Sequence, residues 1–490
     1  MSLMHWMRQK TTKDKPGITI VDCTSLTLKK KLAGLEPPVC IIGYVSPYLD
    51  ISQIARTISH YFPATPLMLC STAGELSSGA EQLYCDTGNT WDHLVLECFD
   101  DSLIAEVQIM AVPLESEDLR EDEPRLPMGE RLQRLEARIE ALEPAFPIQH
   151  QDTLAYVLFD GLSSSESFFL EALYNSGKFP CFFVGGSASG KFDFRHTWLH
   201  DGERCYENHA LIALLKLAPN RHFGLFKSQN FAQTGNSFHI IHASTEQRWV
   251  RDILSQDGRL LSFIDALCHH FACRPDELNT HLTDYSFAIK VGKELYVRSI
   301  RTVDLASGVV NFYCDIAPGE ELHLVKRTSL VDTAEKEFKQ FMRGKPSRPI
   351  GALLNDCILR RLHNTAELKA MNSVFQRVPC AGFSTFGEIL GLNLNETLSA
   401  IFFFKGRAGM PFSDHYVDYF PVHYAEFKSF FLSRQIGKLS GLSRLVERQL
   451  QEYREQNYEC VFRYEGEDEN IRRIASGLQE LGLSLKQEQN

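Results

Sequence analysis

Hydrophobic residues form short uninterrupted runs near the start of the chain, and an amphipathic stretch separates two of them. Residues 39–47 and 66–70 are mostly apolar, as expected of buried strands. Between these runs Ile51, Ile54 and Ile58 recur at three- and four-residue spacing, which predicts a helix packed on a sheet. The order strand, helix, strand predicts an α/β unit.

A polar, proline-bounded segment interrupts this pattern between residues 113 and 151. Within it Leu132, Leu135, Ile139 and Leu142 lie at heptad spacing, which predicts an amphipathic helix. Because the surrounding residues are strongly acidic, we expect an inserted helix that lies outside the hydrophobic core.

Strand patterns return at residue 154 and continue to about residue 405. Two of these predicted strands end in small or acidic residues, at Asp160-Gly161 and at "VGGSASG" (184–190), where backbone N–H groups can approach a ligand closely. Beyond Pro411 the strand patterns give way to a long predicted helix. Its apolar stripe contains Phe427, Phe430, Phe431, Ile436, Leu439, Leu442 and Leu445.

The chain therefore predicts an α/β to α+β fold with mixed sheets and flanking helices. We divide it into a lead-in (1–38), an N-terminal domain (39–230), a C-terminal domain (231–410) and a helical extension (411–490). The helical insertion belongs to the N-terminal domain.

A short motif occurs twice, as "CSTAGEL" (70–76) and as "GFSTFGEIL" (382–390). Both copies follow a strand pattern, so a repeated structural role in two related halves explains the echo. Each copy is either a tight strand exit, whose hydroxyls bond nearby backbone groups, or the lining of a ligand pocket. The pocket interpretation includes the glycine-rich loop and names Cys70, Ser71, Thr72, Gly74, Glu75, Gly185, Gly186, Ser187, Ser384, Thr385, Gly387 and Glu388.

A nucleophilic Cys70 is the least supported interpretation. It needs a base and an oxyanion hole, and the sequence contains no recognisable nucleophile elbow. We therefore expect a protein that is not an enzyme.

Composition excludes several classes of protein. Of 490 residues, 44% are hydrophobic and 23% are charged, as in globular proteins, and the net charge of −11 argues against a nucleic-acid groove. Thirteen cysteines occur without a CxxC pair, which favours reduced thiols. There is no leader-like apolar segment at the N-terminus and no apolar run of membrane-spanning length. We therefore expect a cytoplasmic protein that does not enter a membrane.

Five motifs in order carry a family resemblance: "CSTAGE", "DGLSSSE", "VGGSASG" with "FDFRHTWLHDGE", "GFSTFGEI" and "NETLSAIFFF". Together they resemble the FIST family, bacterial sensory proteins with paired N- and C-terminal FIST domains. The resemblance covers residues 39–405. A chain without an attached kinase is most similar to the haem-binding, nitric-oxide-sensing members of this family (NosP).

That resemblance implies haem b as cofactor, nitric oxide as ligand, and a partner that is a histidine kinase or a diguanylate cyclase or phosphodiesterase. A homodimer formed by the C-terminal helix is a further expectation. The alternative is a FIST module that binds a small metabolite, such as an amino acid whose amine faces Glu75 or Glu388.

A gas-sensing haem typically has one axial imidazole. We expect His209 as the iron ligand, because it opens a buried strand near the glycine-rich loop. His196 and His200, which flank Trp198, and His242 are the other candidates. A thiolate from Cys181 or Cys205 remains open.

Overall fold

The structure is a computed structural model, and it describes residues 15–455 except 256 and 376. The strands, in chain order, are β1 (Ile18–Cys23), β2 (Cys40–Val45), β3 (Leu67–Ser71), β4 (Glu75–Ser77), β5 (Leu94–Phe99), β6 (Ile104–Pro113), β7 (Thr153–Phe159), β8 (Phe183–Ser187), β9 (Leu199–His200), β10 (Cys205–Tyr206), β11 (His209–Leu217), β12 (Arg221–Ser228), β13 (Phe231–Ser244), β14 (Trp249–Leu254), β15 (Leu260–Ser262), β16 (Tyr285–Val291), β17 (Glu294–Arg298), β18 (Ile300–Asp304), β19 (Val309–Phe312), β20 (Glu321–Arg327), β21 (Pro349–Cys357), β22 (Cys380–Thr385), β23 (Gly387–Leu390), β24 (Leu392–Leu394) and β25 (Leu398–Lys405).

Helices connect and cover these strands. They are α1 (Leu28–Leu32), α2 (Ile51–Tyr61), α3 (Glu117–Arg120), α4 (Met128–Glu140), α5 (Glu166–Ser176), α6 (Phe263–Phe271), α7 (Leu278–His281), α8 (Leu330–Phe341), α9 (Ile358–His363), α10 (His415–Asp418) and α11 (Phe420–Glu455), with 3₁₀ turns at Pro275–Glu277, Leu282–Asp284 and Leu368–Ser373. In the part of the chain that the structure describes, no helix is long and apolar enough to cross a membrane.

Three of the four sheets share one plan. Their strand orders are β1-β5-β2-β3-β9, β6-β11-β7-β8-β23 and β12-β25-β21-β22-β4, with β10 and β24 as additional edge strands. In each sheet the third and fourth strands are parallel and every other pair is antiparallel. A helix joins each parallel pair: α2, α5 or α9. The fold therefore contains three copies of one α/β unit.

The three units exchange strands in a ring. The chain leaves β3 and adds β4 to the sheet of the third unit; it leaves β22 and adds β23 to the second; and it leaves β8 and adds β9 to the first. The register is the same each time. A residue of the donated strand pairs with the residue that precedes a serine in the receiving strand: Glu75 with Phe383, Glu388 with Gly186, and Leu199 with Cys70. The motif echo thus marks strand exchange, and the repeat has one more member than the two predicted halves.

The fourth sheet is formed by the chain between β12 and β21. Its order is β17-β16-β20-β13-β14-β19-β18, and β15 pairs with β14. The helix α6 packs on this sheet and buries Phe263 and Leu267. Mixed sheets, flanking helices and a C-terminal helix confirm the predicted fold class.

The helix predicted between residues 113 and 151 is present as α4, preceded by the short α3. The expectation that it lies outside the core is wrong. Leu135 and Ile139 are fully buried, and α4 packs along α5, where Arg131 lies over the ring of Phe168. Most acidic residues around it face solvent, while Asp118 is buried and pairs with Arg131 of α4 at 2.8 Å, so local composition gave a false indication.

The C-terminal helix α11 divides its apolar stripe between two environments. Phe427, Phe430 and Phe431 are buried against the rest of the protein. Further along, Leu432, Ile436, Leu439 and Leu442 are exposed in this single chain, and we call them the exposed seam. Arg434 is ion-paired with Asp315 and Glu320 and anchors the helix to the loop before β20.

Candidate functional site

Three buried serines meet where β3, β8 and β22 end, and we call Ser71, Ser189 and Ser384 the serine junction. Ser71 Oγ donates to the carbonyl of Ser189 at 2.7 Å, and Ser189 N donates to the carbonyl of Ser71 at 3.1 Å. The hydroxyl of Ser189 accepts from Ala73 N at 2.7 Å and donates to the carbonyl of Ser384. Ser384 N donates to Gly74 O at 2.7 Å. The junction therefore ties all three units together through backbone groups.

The predicted pocket residues lie at this junction and along the strands that reach it. They are all buried: Cys70, Ser71, Thr72, Gly74, Glu75, Gly185, Gly186, Ser187, Ser384, Thr385, Gly387 and Glu388. Their hydroxyls bond to neighbours within the protein, since Thr72 Oγ1 donates to Gly74 O at 2.8 Å and Ser187 Oγ donates to Glu166 Oε1 at 2.7 Å. The structure thus brings both motif copies together, and a ligand at these residues stays a prediction.

Two glycines near the junction allow strands to approach at distances that a side chain would prevent. A Cβ at Gly382 would lie 1.9 Å from the carbonyl oxygen of Leu354, and one at Gly185 would lie 1.9 Å from that of Val157. Gly74 combines a φ of +149° with the guanidinium of Arg361, which is 2.0 Å from the position of a Cβ. Only glycine fits all three positions without displacement of a neighbour.

Burial changes the acid–base chemistry of the two repeated motifs. It raises the pKa of the Cys70 thiol well above its ordinary value, so that the thiolate needed for a nucleophile is disfavoured. It also raises the pKa of Glu388 well above its ordinary value, and Thr385 donates a hydrogen bond to this buried carboxyl. The neighbours of Glu75 differ from those of Glu388. Glu75 accepts hydrogen bonds from Trp91 Nε1 and contacts His93.

Two of the candidate histidines converge on one residue, Glu207. His196 Nδ1 lies 2.8 Å from Glu207 Oε1, and His209 Nδ1 lies 2.6 Å from the backbone carbonyl of Glu207. In each imidazole a hydrogen bond at Nδ1 fixes the ring and leaves Nε2 for another partner. The side chain of His196 is 58% exposed, and His209 is half-buried.

The other two candidate histidines lie elsewhere. His200 is buried in β9, where its Nδ1 accepts from Gly202 N at 3.0 Å, and burial lowers its pKa. His242 lies on β13 of the fourth sheet, with Nδ1 at 3.0 Å from Asp252. Burial raises the pKa of the Cys181 thiol, and partial desolvation raises that of the exposed Cys205 thiol, which makes thiolate ligation more costly at either.

His196 belongs to an aromatic loop, residues 190–198. Phe192 and Phe194 are 56% and 53% exposed, and the Phe194 ring lies 5.5 Å from the ring of Phe386. Phe192, Phe194 and His196 belong to this one loop, and phenyl rings with an imidazole are side chains that haem sites use. The donor chemistry is that of a haem ligand, and haem b stays a prediction.

Sequence reasoning missed the residues that organise this loop. Buried Asp160 accepts hydrogen bonds from Thr197, Asn208 N and Arg120, and Arg120 also bonds Glu207 at 2.9 Å. The position of Asp160 at a strand end was visible in the sequence. Its partners were not, because they come from three separate segments.

Comparison with known proteins finds two family models that match the chain. The model of the FIST N domain matches residues 40–254, and the model of the FIST C domain matches residues 263–390. No curated protein matches the chain.

Proposed function

The chain belongs to the FIST family, whose domains are sensory domains of signalling proteins, and on that premise we propose that it is a cytoplasmic sensor that binds haem b and detects nitric oxide. The observation that supports this most is the convergence of His196 and His209 on Glu207 beside the aromatic loop. Haem held by one of these imidazoles would supply an iron that can bind a diatomic gas.

The protein's own residues have distinct parts in this proposal. Glu207 orients both imidazoles, one through its carboxylate and the other through its carbonyl oxygen. Arg120 holds Glu207 in place and connects it to buried Asp160. Phe192 and Phe194 provide the apolar surface. His209 remains the expected iron ligand, and His196 is its closest rival because its side chain is more exposed.

Signal output is assigned to α11. Its first half is anchored to the FIST domains through Arg434, and the exposed seam is available to another protein. We propose that the seam forms a homodimer that presents the helix to a histidine kinase or to a cyclic-di-nucleotide enzyme. The described cysteines are all free thiols, which supports a reducing compartment such as the cytoplasm.

An absorption spectrum tests the ligand. We expect protein produced with ample haem supply to be red, with a Soret band that shifts when nitric oxide is added to the ferrous form. His209→Ala should lower haem retention more than His270→Ala, which changes an exposed histidine near the end of α6. His196→Ala tests the rival ligand in the same assay.

Two results would contradict this proposal in different ways. A colourless, well-folded protein would contradict haem binding. A small metabolite would then be the expected ligand. Equal haem content in the His196, His209 and His270 variants would be consistent with haem binding but would contradict the assignment of its iron ligand.

A further inference from the structure

A second cluster of chemically reactive side chains lies apart from the histidines around Glu207. Asp22, Cys85 and His93 each offer one metal-binding atom, and these atoms all lie within 4.8 Å of one another. Asp22 belongs to β1, His93 directly precedes β5, and Cys85 follows β4. Backbone pairing fixes all three positions, since Asp22 is paired with Val95, Ser46 N donates to His93 O at 3.1 Å, and Cys85 N donates to Glu75 O at 3.0 Å.

The imidazole of His93 is held at both nitrogens. Its Nε2 lies 2.8 Å from Asp22 Oδ1, and its Nδ1 lies 3.2 Å from Glu75 Oε2. Glu75 is fully buried and is itself fixed by Trp91 Nε1, at 3.1 and 3.0 Å from its two oxygens. A carboxylate that holds one imidazole nitrogen while the other faces further ligands is the usual environment of a metal-binding histidine.

The cluster also contains an unsatisfied oxygen. In the part of the chain that the structure describes, Asp22 Oδ2 is buried and makes no hydrogen bond of acceptable geometry, although the Ser77 hydroxyl interacts with the Asp22 carboxylate. A buried carboxylate oxygen without a partner is costly, and a cation would satisfy it.

We propose that Asp22, Cys85 and His93 bind a zinc ion, with Glu75 as the residue that orients His93. A thiolate, an imidazole and a carboxylate form a donor set that suits Zn²⁺, at bond lengths of about 2.0–2.3 Å. To reach that geometry, the widest separation among the ligand atoms, now up to 4.8 Å, must shrink by about 1 Å, and Asp22 Oδ1 and His93 Nε2, now 2.8 Å apart, must separate to admit the ion. Three protein ligands leave a fourth position for water or another ligand.

Binding releases two protons. Hydrogen bonds with Asp22 and Glu75 outweigh the effect of burial and raise the pKa of His93 to about 9, while burial raises the pKa of Cys85 to about 12. Both groups therefore carry their protons at neutral pH when no metal is bound. Zn²⁺ replaces the proton on His93 Nε2 and the thiol proton of Cys85, and both protons pass to solvent.

The cluster lies where a strand of the first unit crosses to the sheet of the third, so a bound metal would connect the two. Glu75 lies in β4, the strand that the first unit adds to the sheet of the third. Arg361 of α9 also reaches the cluster, because it donates a hydrogen bond to the carbonyl of Cys85. Zinc would thus join β1 and the start of β5 to the strand that crosses into the FIST C half.

The test uses tag-free, full-length protein stripped with a chelator and then titrated with Zn²⁺ against a chromophoric competitor. We expect one tightly bound zinc per chain. Cys85→Ser and Asp22→Asn should each weaken binding at least 100-fold, and Glu75→Gln should weaken it 10- to 100-fold. His242→Gln is the matched control, because His242 is also paired with an aspartate but lies on the fourth sheet.

Cobalt binding by the wild-type protein provides a second readout, which does not require that a variant folds. Co²⁺ added to the stripped wild-type protein should give a thiolate-to-cobalt charge-transfer band, and Cys85→Ser should abolish it while Cys205→Ser, at an exposed thiol, retains it. Wild-type protein without this band, or zinc affinity unchanged by Cys85→Ser, would overturn the proposal. His93 would then be a protonated bridge between two carboxylates.

Discussion

The hydroxyl of Ser71 donates a hydrogen bond of 2.7 Å to the carbonyl oxygen of Ser189, although 118 residues separate the two in the chain. This bond joins the first α/β unit to the second. Ser189 in turn donates to the carbonyl of Ser384 in the third unit. Since no unit completes the junction alone, the stability of each domain depends on the other.

Ser189→Ala should destabilise the whole protein by about 1–3 kcal/mol, because it leaves the buried Ala73 N–H and the Ser384 carbonyl without a good partner. Urea unfolding measures this change. As a control, Ser373→Ala removes an exposed hydroxyl that bonds Ala370 O and should change the free energy of unfolding by no more than about 0.5 kcal/mol. Equal stability of the two variants would contradict a structural role for the junction.

Gly382→Ala should destabilise the protein by about 3 kcal/mol or more, since its Cβ would lie 1.9 Å from Leu354 O and would push β22 away from β21. Gly129→Ala is the matched control. Gly129 lies near the start of α4 with open space at its Cβ position, so alanine should stabilise the helix by up to about 1 kcal/mol. Thermal unfolding of both variants checks the opposite signs.

The sequence predicted individual strands and helices better than the exchange of strands that joins the three units in a ring. Periodicity identified the first strand–helix–strand unit and α11, because the pattern of burial is local. The third copy was hidden, since Leu199 occupies the place that Glu75 and Glu388 have in the other units, and the aromatic loop separates it from Ser189. Strand exchange joins residues distant in the chain, and no local pattern reports it.

The candidate site divides in the same way. The choice of His209 came from its place at the start of a strand near the glycine-rich loop, and His196 was a further candidate because it flanks Trp198. Their convergence on Glu207 depends on hydrogen bonds to a carboxylate and to a carbonyl oxygen, which spacing alone does not specify. The cluster of Asp22, Cys85 and His93 was also invisible in the sequence, because its members come from segments that meet only in the folded sheet.

Arg434→Met should detach part of α11, because it leaves Asp315 and Glu320 buried without their cation. Loss of one partner from a buried ion pair costs about 3–5 kcal/mol. Limited proteolysis should then cut α11 faster, and the urea midpoint should fall at pH 7. Lys428→Met, at an exposed position of the same helix, should change neither. Equal cleavage rates in the two variants would show that Arg434 does not anchor the helix.

The effect of Arg434→Met should also depend on pH. Burial alone would raise the pKa of Asp315, but the charges of Arg434 and Arg298 outweigh it and hold the pKa well below its ordinary value. The stabilisation is therefore fully present above the unfolded pKa of about 3.9 and is lost as the pH falls below it. The stability difference between wild type and Arg434→Met should be largest near pH 7 and shrink below about pH 4. A difference that is constant from pH 7 to pH 3 would assign the loss to packing.

Ile436→Glu should convert a dimer into a monomer if the exposed seam pairs with a second copy of itself. Leu432, Ile436 and Leu439 are separated by four and then three residues, the spacing of a coiled-coil seam, and Ile436 is 68% exposed in the single chain. Because this side chain contributes little to the protomer's own core, thermal stability and ligand binding should be unchanged. Gln133→Glu is the control, since it makes the same change in charge at an exposed position of α4, outside the seam. Sedimentation should give a dimeric mass for wild type and Gln133→Glu and a monomeric mass for Ile436→Glu; identical masses for all three would leave α11 without a role in self-association.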